Sequence, residues 1–276
     1  MQLNREPYSS FGLVTDMLAA VDVVRGFDPA VVTPIAKQIP AEGKLLLTGE
    51  GSSRLFPAKN AISQARRANW PLTLHTEAGR QAQEYNLIDW AVLAMSNSGR
   101  TAEVIRLYTQ LKEAKHPRHF SLAAYPQTTL ESLATAGGVL KCGKEAAVAA
   151  TKSVVEQALF CRALIEQVVG NHTLKARLGD LAAKMHTALT QPIDPEIARK
   201  VSQAGTVYCA GRNDGVAEEL TLKINEITRK HSDFLEGTYA VHGVEESMRA
   251  DDVIVWIEPY AESEQKFHDV LVKGSD

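Results

Sequence analysis

Cysteine is scarce in this chain and charge is nearly balanced, and each shortage narrows what the protein can be. The three cysteines, Cys142, Cys161 and Cys209, are odd in number, far apart and set among apolar residues. That pattern fits reduced, buried thiols rather than a disulfide framework or a metal site, and it makes the cytoplasm the expected compartment. The formal net charge is only −3 over 276 residues and the basic residues do not bunch, so neither nucleic acid nor a membrane surface is an expected partner. No segment is long and apolar enough to span a bilayer, and the opening "MQLNREPYSS" has no apolar core of signal-peptide type. A dinucleotide fingerprint is missing too: "GEGSSRLF" has glycines but not the G-x-G-x-x-G spacing, so a nicotinamide cofactor is not expected.

What is present is an alternation of short apolar runs and helical patterns, with 45% hydrophobic residues to build a packed core. Residues 11–38 carry apolar side chains at three and four spacing and read as helical. Strands are expected at residues 44–48, 71–76, 91–95, 119–125 and 137–142, with helices ending near residue 67, starting at residue 101, and running over 147–169. This order predicts an α/β fold, a doubly wound parallel sheet with flanking helices, whose ligands sit beyond the carboxyl ends of the strands.

Two serine-rich loops lie at that edge. The first strand exits through Gly49, Gly51, Ser52 and Ser53, and the third through Ser96, Asn97, Ser98 and Gly99 before a helix opening near Thr101. Hydroxyls, an amide and unpaired N–H groups gathered at a helix start favour an anion such as phosphate. The same residues can instead be turn glycines and helix caps. Two such exits in one parallel sheet can converge on one phosphate.

After a polar helical connector at residues 174–190, the pattern begins again. "TVYCAGRNDGVAEELTLKINEI" mirrors "KLLLTGEGSSRLFPAKNAISQA", and "VIVWIEPYAESEQKFHDVLVK" mirrors "AVLAMSNSGRTAEVIRLYTQLK". This is an internal duplication. Expected segments are a helical N-terminal part at 1–40, a first domain at 41–170, a connector at 171–197 and a second, partial domain at 198–276. The second copy stops short of counterparts to two strands and a closing helix, so missing sequence is expected.

"GEGSS" before a helix, "MSNSGRTAEV" and "EAAVAATKS" together resemble the sugar isomerase (SIS) domain family, the fold of phosphosugar isomerases and of the isomerase half of glucosamine-6-phosphate synthase. The resemblance covers most of the chain from Lys44 onward. It implies a sugar-phosphate substrate whose phosphate is held by Ser53, Ser96, Asn97, Ser98 and Thr101. It places Gly51, Ser52, Val148, Ala149 and Glu219 near the sugar, with Ala150 where the synthase-like proteins have a serine.

In "EELTLKINEIT", Glu219, Lys223 and Glu226 are spaced by four and three and project from one helical face. Such spacing usually means a solvated ion-pair stripe. The segment also resembles the family's "E-x-A-L-K-x-x-E" helix, which implies that Glu226 moves a proton between C1 and C2 and that Lys223 orients the acid or a substrate oxygen. A carboxylate suits that work if partial burial raises its pKa. "GTYAVHGVEE" resembles the family's "H-G-P" element, which implies that His242, supplied by a neighbouring subunit, assists ring opening; Val244 stands in place of the proline. A homodimer or higher homo-oligomer is therefore expected, with neither metal nor organic cofactor.

Isomerisation and amino-sugar deamination share ring opening and proton transfer, and both stay open, as does a deglycase of sugar-phosphate amine adducts. A glutamine-dependent synthase is not expected, because no amidohydrolase domain precedes the sheet. A non-catalytic sugar-phosphate sensor is the alternative from another class. No basic helix-turn-helix segment accompanies it, and the pairing of Glu226 with His242 favours an enzyme.

Overall fold

The computed structural model describes Leu3 and residues 5–272. The outermost residues of the expected first and last segments lie outside this range. Two compact units divide the chain between Gln191 and Pro192.

The first unit opens with α1 (Gly12–Gly26) and the single turn α2 (Thr33–Ala36). The helical reading of residues 11–38 is thus interrupted, where Asp28 accepts from the Ala30 N–H and starts a short 3-10 turn at Pro29–Val32. Then follow β1 (Lys44–Gly49), α3 (Leu55–Arg67), β2 (Thr73–Ala78), α4 (Gly79–Ala82), β3 (Trp90–Ser96), α5 (Ala102–Glu113), β4 (His119–Ala123), α6 (Thr129–Leu133), β5 (Ala136–Val139), α7 (Lys152–Val168) and α8 (Leu174–Thr190). All strand pairs are parallel, in the order β2-β1-β3-β4-β5.

Both faces of this sheet are covered, as the near-continuous apolar runs of its central strands require. Leu45, Leu47, Leu93 and Met95 pack on one side with Val21 and Val24 of α1, Ala58 and Ala61 of α3, and Leu164 of α7. Leu46, Val92 and Ala94 point the other way, toward Leu107 and Tyr108 of α5 and Leu130 of α6. Each large apolar side chain buried in this way contributes about 1.5–3 kcal/mol. Helix α8, the expected connector, packs against α1 within this unit.

The long helix begins at Lys152, five residues later than its apolar spacing suggests. The preceding backbone is spent elsewhere: the Ala146 and Ala147 N–H groups donate to Asp16 at 2.6 and 2.8 Å. Asp16 is also ion-paired with Lys152 at 3.2 Å.

The second unit contains α9 (Pro195–Gln203), β6 (Thr206–Gly211), α10 (Val216–Lys223), β7 (His231–Glu236), β8 (Val253–Trp256) and α11 (Glu264–Leu271). Its parallel sheet runs β7-β6-β8, repeating the order β2-β1-β3 of the first unit. The duplication read from sequence is therefore a duplication of topology, and no counterpart of β4 or β5 occurs among the described residues. Trp256 of β8 stacks on Phe267 of α11, ring centroids 3.6 Å apart. No described helix is long and apolar enough to cross a membrane.

Tyr108 of α5 ties that helix to the backbone of the first sheet. Fully buried, its hydroxyl accepts from the Ala94 N–H at 2.8 Å and lies within hydrogen-bonding reach of the Val92 and Phe120 carbonyls. Tyr108→Phe removes this hydroxyl and its buried hydrogen bonds to β3 and β4, and we expect it to lower stability by about 1–3 kcal/mol, read as a reduced urea midpoint at unchanged slope.

Candidate functional site

Strand β1 lies between β2 and β3, so the connections leaving it and entering β3 pass on opposite sides of the sheet. That is the topological switch point, where a parallel sheet opens a crevice beyond its carboxyl ends. Gly49, the last residue of β1, pairs in register with Met95 of β3. A Cβ at Gly49 would lie 2.7 Å from the Met95 carbonyl oxygen, so only glycine lets the two exits run this close together.

Past Gly49, Glu50 accepts from the Gly79 N–H at 2.9 Å, and Gly51–Ser53 form one 3-10 turn leading into α3. Gly51 adopts a left-handed φ of 52°. Ser52 is buried and Ser53 half-buried, its hydroxyl oxygen accepting from the Gln157 Nε2 of α7 at 3.4 Å.

The β3 exit is a self-bonded loop. Buried Ser96 shares a 2.8 Å hydrogen bond with the Thr101 hydroxyl and accepts from the Gly99 N–H at 3.1 Å. Gly99 has φ 62°, and a Cβ there would strike Thr128 at 2.4 Å. Exposed Ser98 accepts from the Arg100 N–H at 3.2 Å. Thr101 occupies the N-cap position of α5 yet makes no capping hydrogen bond, because its hydroxyl is engaged by Ser96. The capping alternative fails here for Thr101, and the first turn of α5 presents its N–H groups without a side-chain cap.

Asn97 ties this loop to the segment before α7. Its Nδ2 donates to Glu145 at 3.2 Å, and the same carboxylate accepts from the Thr151 and Ser153 N–H groups at 2.7 and 3.0 Å and from both their hydroxyls. Burial pushes the Glu145 carboxyl up, but the Ser153 and Thr151 donors outweigh it and hold the pKa below the ordinary 4.5. Val148 stands fully exposed at the tip of this segment, with Ala149 half-buried beside it. Neither Glu145 nor Ser153 and Gln157 was marked by sequence reasoning. The motif "EAAVAATKS" begins at Glu145 and ends at Ser153, while Gln157 lies beyond it, and the partners are 48 and 104 residues away.

The second unit brings Glu219, Lys223 and Glu226 together. The Lys223 ammonium is 3.3 Å from Glu219 and donates to Glu226 at 3.0 Å. The Glu219 and Lys223 side chains are only 12% and 17% exposed, so this end is not the solvated stripe that the spacing usually means. Glu226 is exposed at 42%, so the partial burial expected of a base is not supplied within this unit. Glu226 sits on a π-helical turn, Ile224–Thr228, that continues α10, a geometry frequent at functional sites. Asn225 secures that turn by bonding the Ser232 N–H and carbonyl of β7 at 3.0 and 3.1 Å.

His242 is exposed, between two 3-10 turns at Tyr239–Val241 and Val244–Ser247. Val244 opens the second turn, a first position that proline also suits. All three cysteines are free; burial, with Glu156 beside it, pushes the Cys142 thiol up to about 12, and burial raises those of Cys161 and Cys209 too. Among the described residues, no group of three or more His, Cys, Asp or Glu side chains is placed to hold a metal ion.

Two outcomes follow from the first-unit geometry. Replacing Ser96 and Ser98 together by alanine removes the buried Ser96 bonds to Thr101 and the Gly99 N–H and should lower the stability of the first unit by about 1–3 kcal/mol, read as a reduced urea midpoint. Glu145→Gln should destabilise the first unit by about 1–3 kcal/mol near neutral pH. Because the folded-state pKa of Glu145 is lowered, its contribution is complete above the ordinary 4.5 and is lost as pH falls through the lowered value. The gap between parent and variant in urea titrations should therefore close on acidification.

No family model and no curated protein matches the sequence. Solved structures do match the fold. The C-terminal domain of glucosamine-fructose-6-phosphate aminotransferase from Francisella tularensis superimposes with a TM-score of 0.74 at 15% identity, covering 99% of this chain and 82% of that one. Tagatose-6-phosphate ketose/aldose isomerase from Escherichia coli gives 0.71 at 16% identity, with 98% and 79% covered. Glucosamine-6-phosphate deaminase from Thermotoga maritima gives 0.68 at 17% identity, with 94% and 82% covered. In architecture, the chain is a sugar isomerase (SIS) fold, the fold of phosphosugar isomerases.

Proposed function

We propose that this chain acts on a sugar 6-phosphate, as a phosphosugar aldose–ketose isomerase or an amino-sugar 6-phosphate isomerase or deaminase. The observation that carries this reading is the meeting of two serine-rich strand exits at the switch point of the first sheet, in register at Gly49 and Met95. There the hydroxyls of Ser53 and Ser98, the Asn97 amide and the uncapped start of α5 form an anion cradle, braced by Ser96 and Thr101. The three structures compared above are all named for a sugar 6-phosphate or an enzyme of one, which supports the substrate class.

Glu226 is the proposed proton carrier between C1 and C2. Its hydrogen bond from Lys223 at 3.0 Å supplies a cation that steadies the carboxylate, and Glu219 in turn balances the lysine. His242 of a neighbouring subunit would pass a proton between ring oxygen and hydroxyl as the sugar opens. Gly51, Ser52, Val148 and Ala149 are the proposed sugar contacts. A homo-oligomer in the cytoplasm belongs to the same reading, with the free thiols in its favour. The exposure of Glu226 favours a second reading, a sugar-phosphate sensor that binds without turnover.

A thermal-shift screen with the 6-phosphates of glucose, fructose, glucosamine, galactosamine and tagatose, against their unphosphorylated sugars, tests the class directly. Ligand at a hundredfold excess over Kd should stabilise by about 2.7 kcal/mol, and only phosphorylated sugars should do so. Turnover of the binding sugar should fall by about 10²–10⁴ in Glu226→Gln with binding retained. Binding with no turnover in the parent chain would select the sensor, and no binding would reject the cradle.

A further inference from the structure

Helix α7 buries the amide of a glutamine among its packed residues. Ser153, Gln157 and Cys161 follow one another at intervals of four, so they form one row along the helix, and they are 1%, 0% and 0% exposed. The ends of the row have clear partners: the Ser153 hydroxyl donates to Glu145 at 2.8 Å, and the Cys161 sulfur meets the Met95 sulfur of β3 at 3.3 Å. Between them Gln157 reaches one polar group, the Ser53 hydroxyl, and its own Oε1 is buried with no hydrogen-bond partner.

A buried, unpaired carbonyl is a cost that methionine or leucine would avoid at similar volume. Packing therefore does not account for a glutamine here, and its one contact does. A serine hydroxyl has a single hydrogen and two acceptor lone pairs. With the Gln157 N–H on a lone pair, the hydroxyl hydrogen is left to be donated elsewhere, which is what a bound phosphate oxygen needs. We infer that Gln157 is a positioning residue of the cradle, which turns the Ser53 hydroxyl into a dedicated donor toward the phosphate. The inference rests on the sugar-phosphate reading proposed above.

The test is a four-way comparison of the full-length chain: parent, Gln157→Met, Ser53→Ala, and both together, each titrated calorimetrically with inorganic phosphate and with fructose 6-phosphate. Gln157→Met should weaken binding roughly three- to tenfold in the parent and leave it unchanged in Ser53→Ala, because its effect passes through that hydroxyl. An equal loss in both backgrounds would make Gln157 a packing residue and overturn the inference, as would no loss in either. If Gln157→Met does not fold, Gln157→Asn, which withdraws the amide by one methylene, takes its place with the same outcomes expected. Binding by the parent that is lost in the Ser96/Ser98 double alanine variant but not in Gln157→Met would sink the inference alone. A parent that binds neither probe would remove the cradle and the inference together.

Discussion

The carboxylate of Glu145 is the interaction on which the carboxyl edge of the first sheet depends. Five donors converge on it from Asn97, Thr151 and Ser153. Two of them are N–H groups at the start of α7, whose dipole favours a negative charge. Half-burial works against the ion, and the donors more than offset it, so the charge persists where an isolated carboxyl would sooner take a proton. Through this one group the β3 exit, the exposed tip at Val148 and the first turn of the long helix are held in one arrangement.

A second carboxylate does comparable work on the other side of the same segment. Asp16, on α1, is only 2% exposed and collects the Ala146 and Ala147 N–H groups and the Lys152 ammonium. The segment between β5 and α7 is thus stretched between two anions rather than wound into helix. In the second unit the polarity of the arrangement reverses: one lysine lies between two glutamates, and the cluster carries a net negative charge that a phosphate would not seek. The two copies share a strand order and have taken up different chemistry at its edge. Serines and an asparagine follow β3, whereas Glu258 and Glu262 follow β8.

Much of this was legible in the sequence because it is local. Short apolar runs broken by glycine and serine marked the five strands of the first sheet and, through the mirrored segments, β6 and β8, while β7, with its polar HSDFLE, went unmarked; the mirrored halves revealed the repeat that the matching orders β2-β1-β3 and β7-β6-β8 display. Boundaries were less legible where a distant side chain intervenes. The start of α7 is displaced to Lys152 by Asp16, which lies 130 residues from Ala146. The π-helical turn at Glu226 was invisible for a similar reason: it depends on Asn225 gripping the backbone of β7.

The sequence by itself determined the α/β class, the duplication and the chemical character of the two serine loops, since periodicity and residue type are properties of neighbours along the chain. Tertiary structure decided which of those groups are occupied and which are offered. Ser96 and Thr101 spend their hydroxyls on one another, Ser53 receives the amide of a helix 104 residues away, and the Glu219 side chain is only 12% exposed on a spacing that usually marks a solvent-facing stripe. Hydrogen-bond partnership and burial depend on which distant surfaces come within about 3 Å, and no local pattern records that.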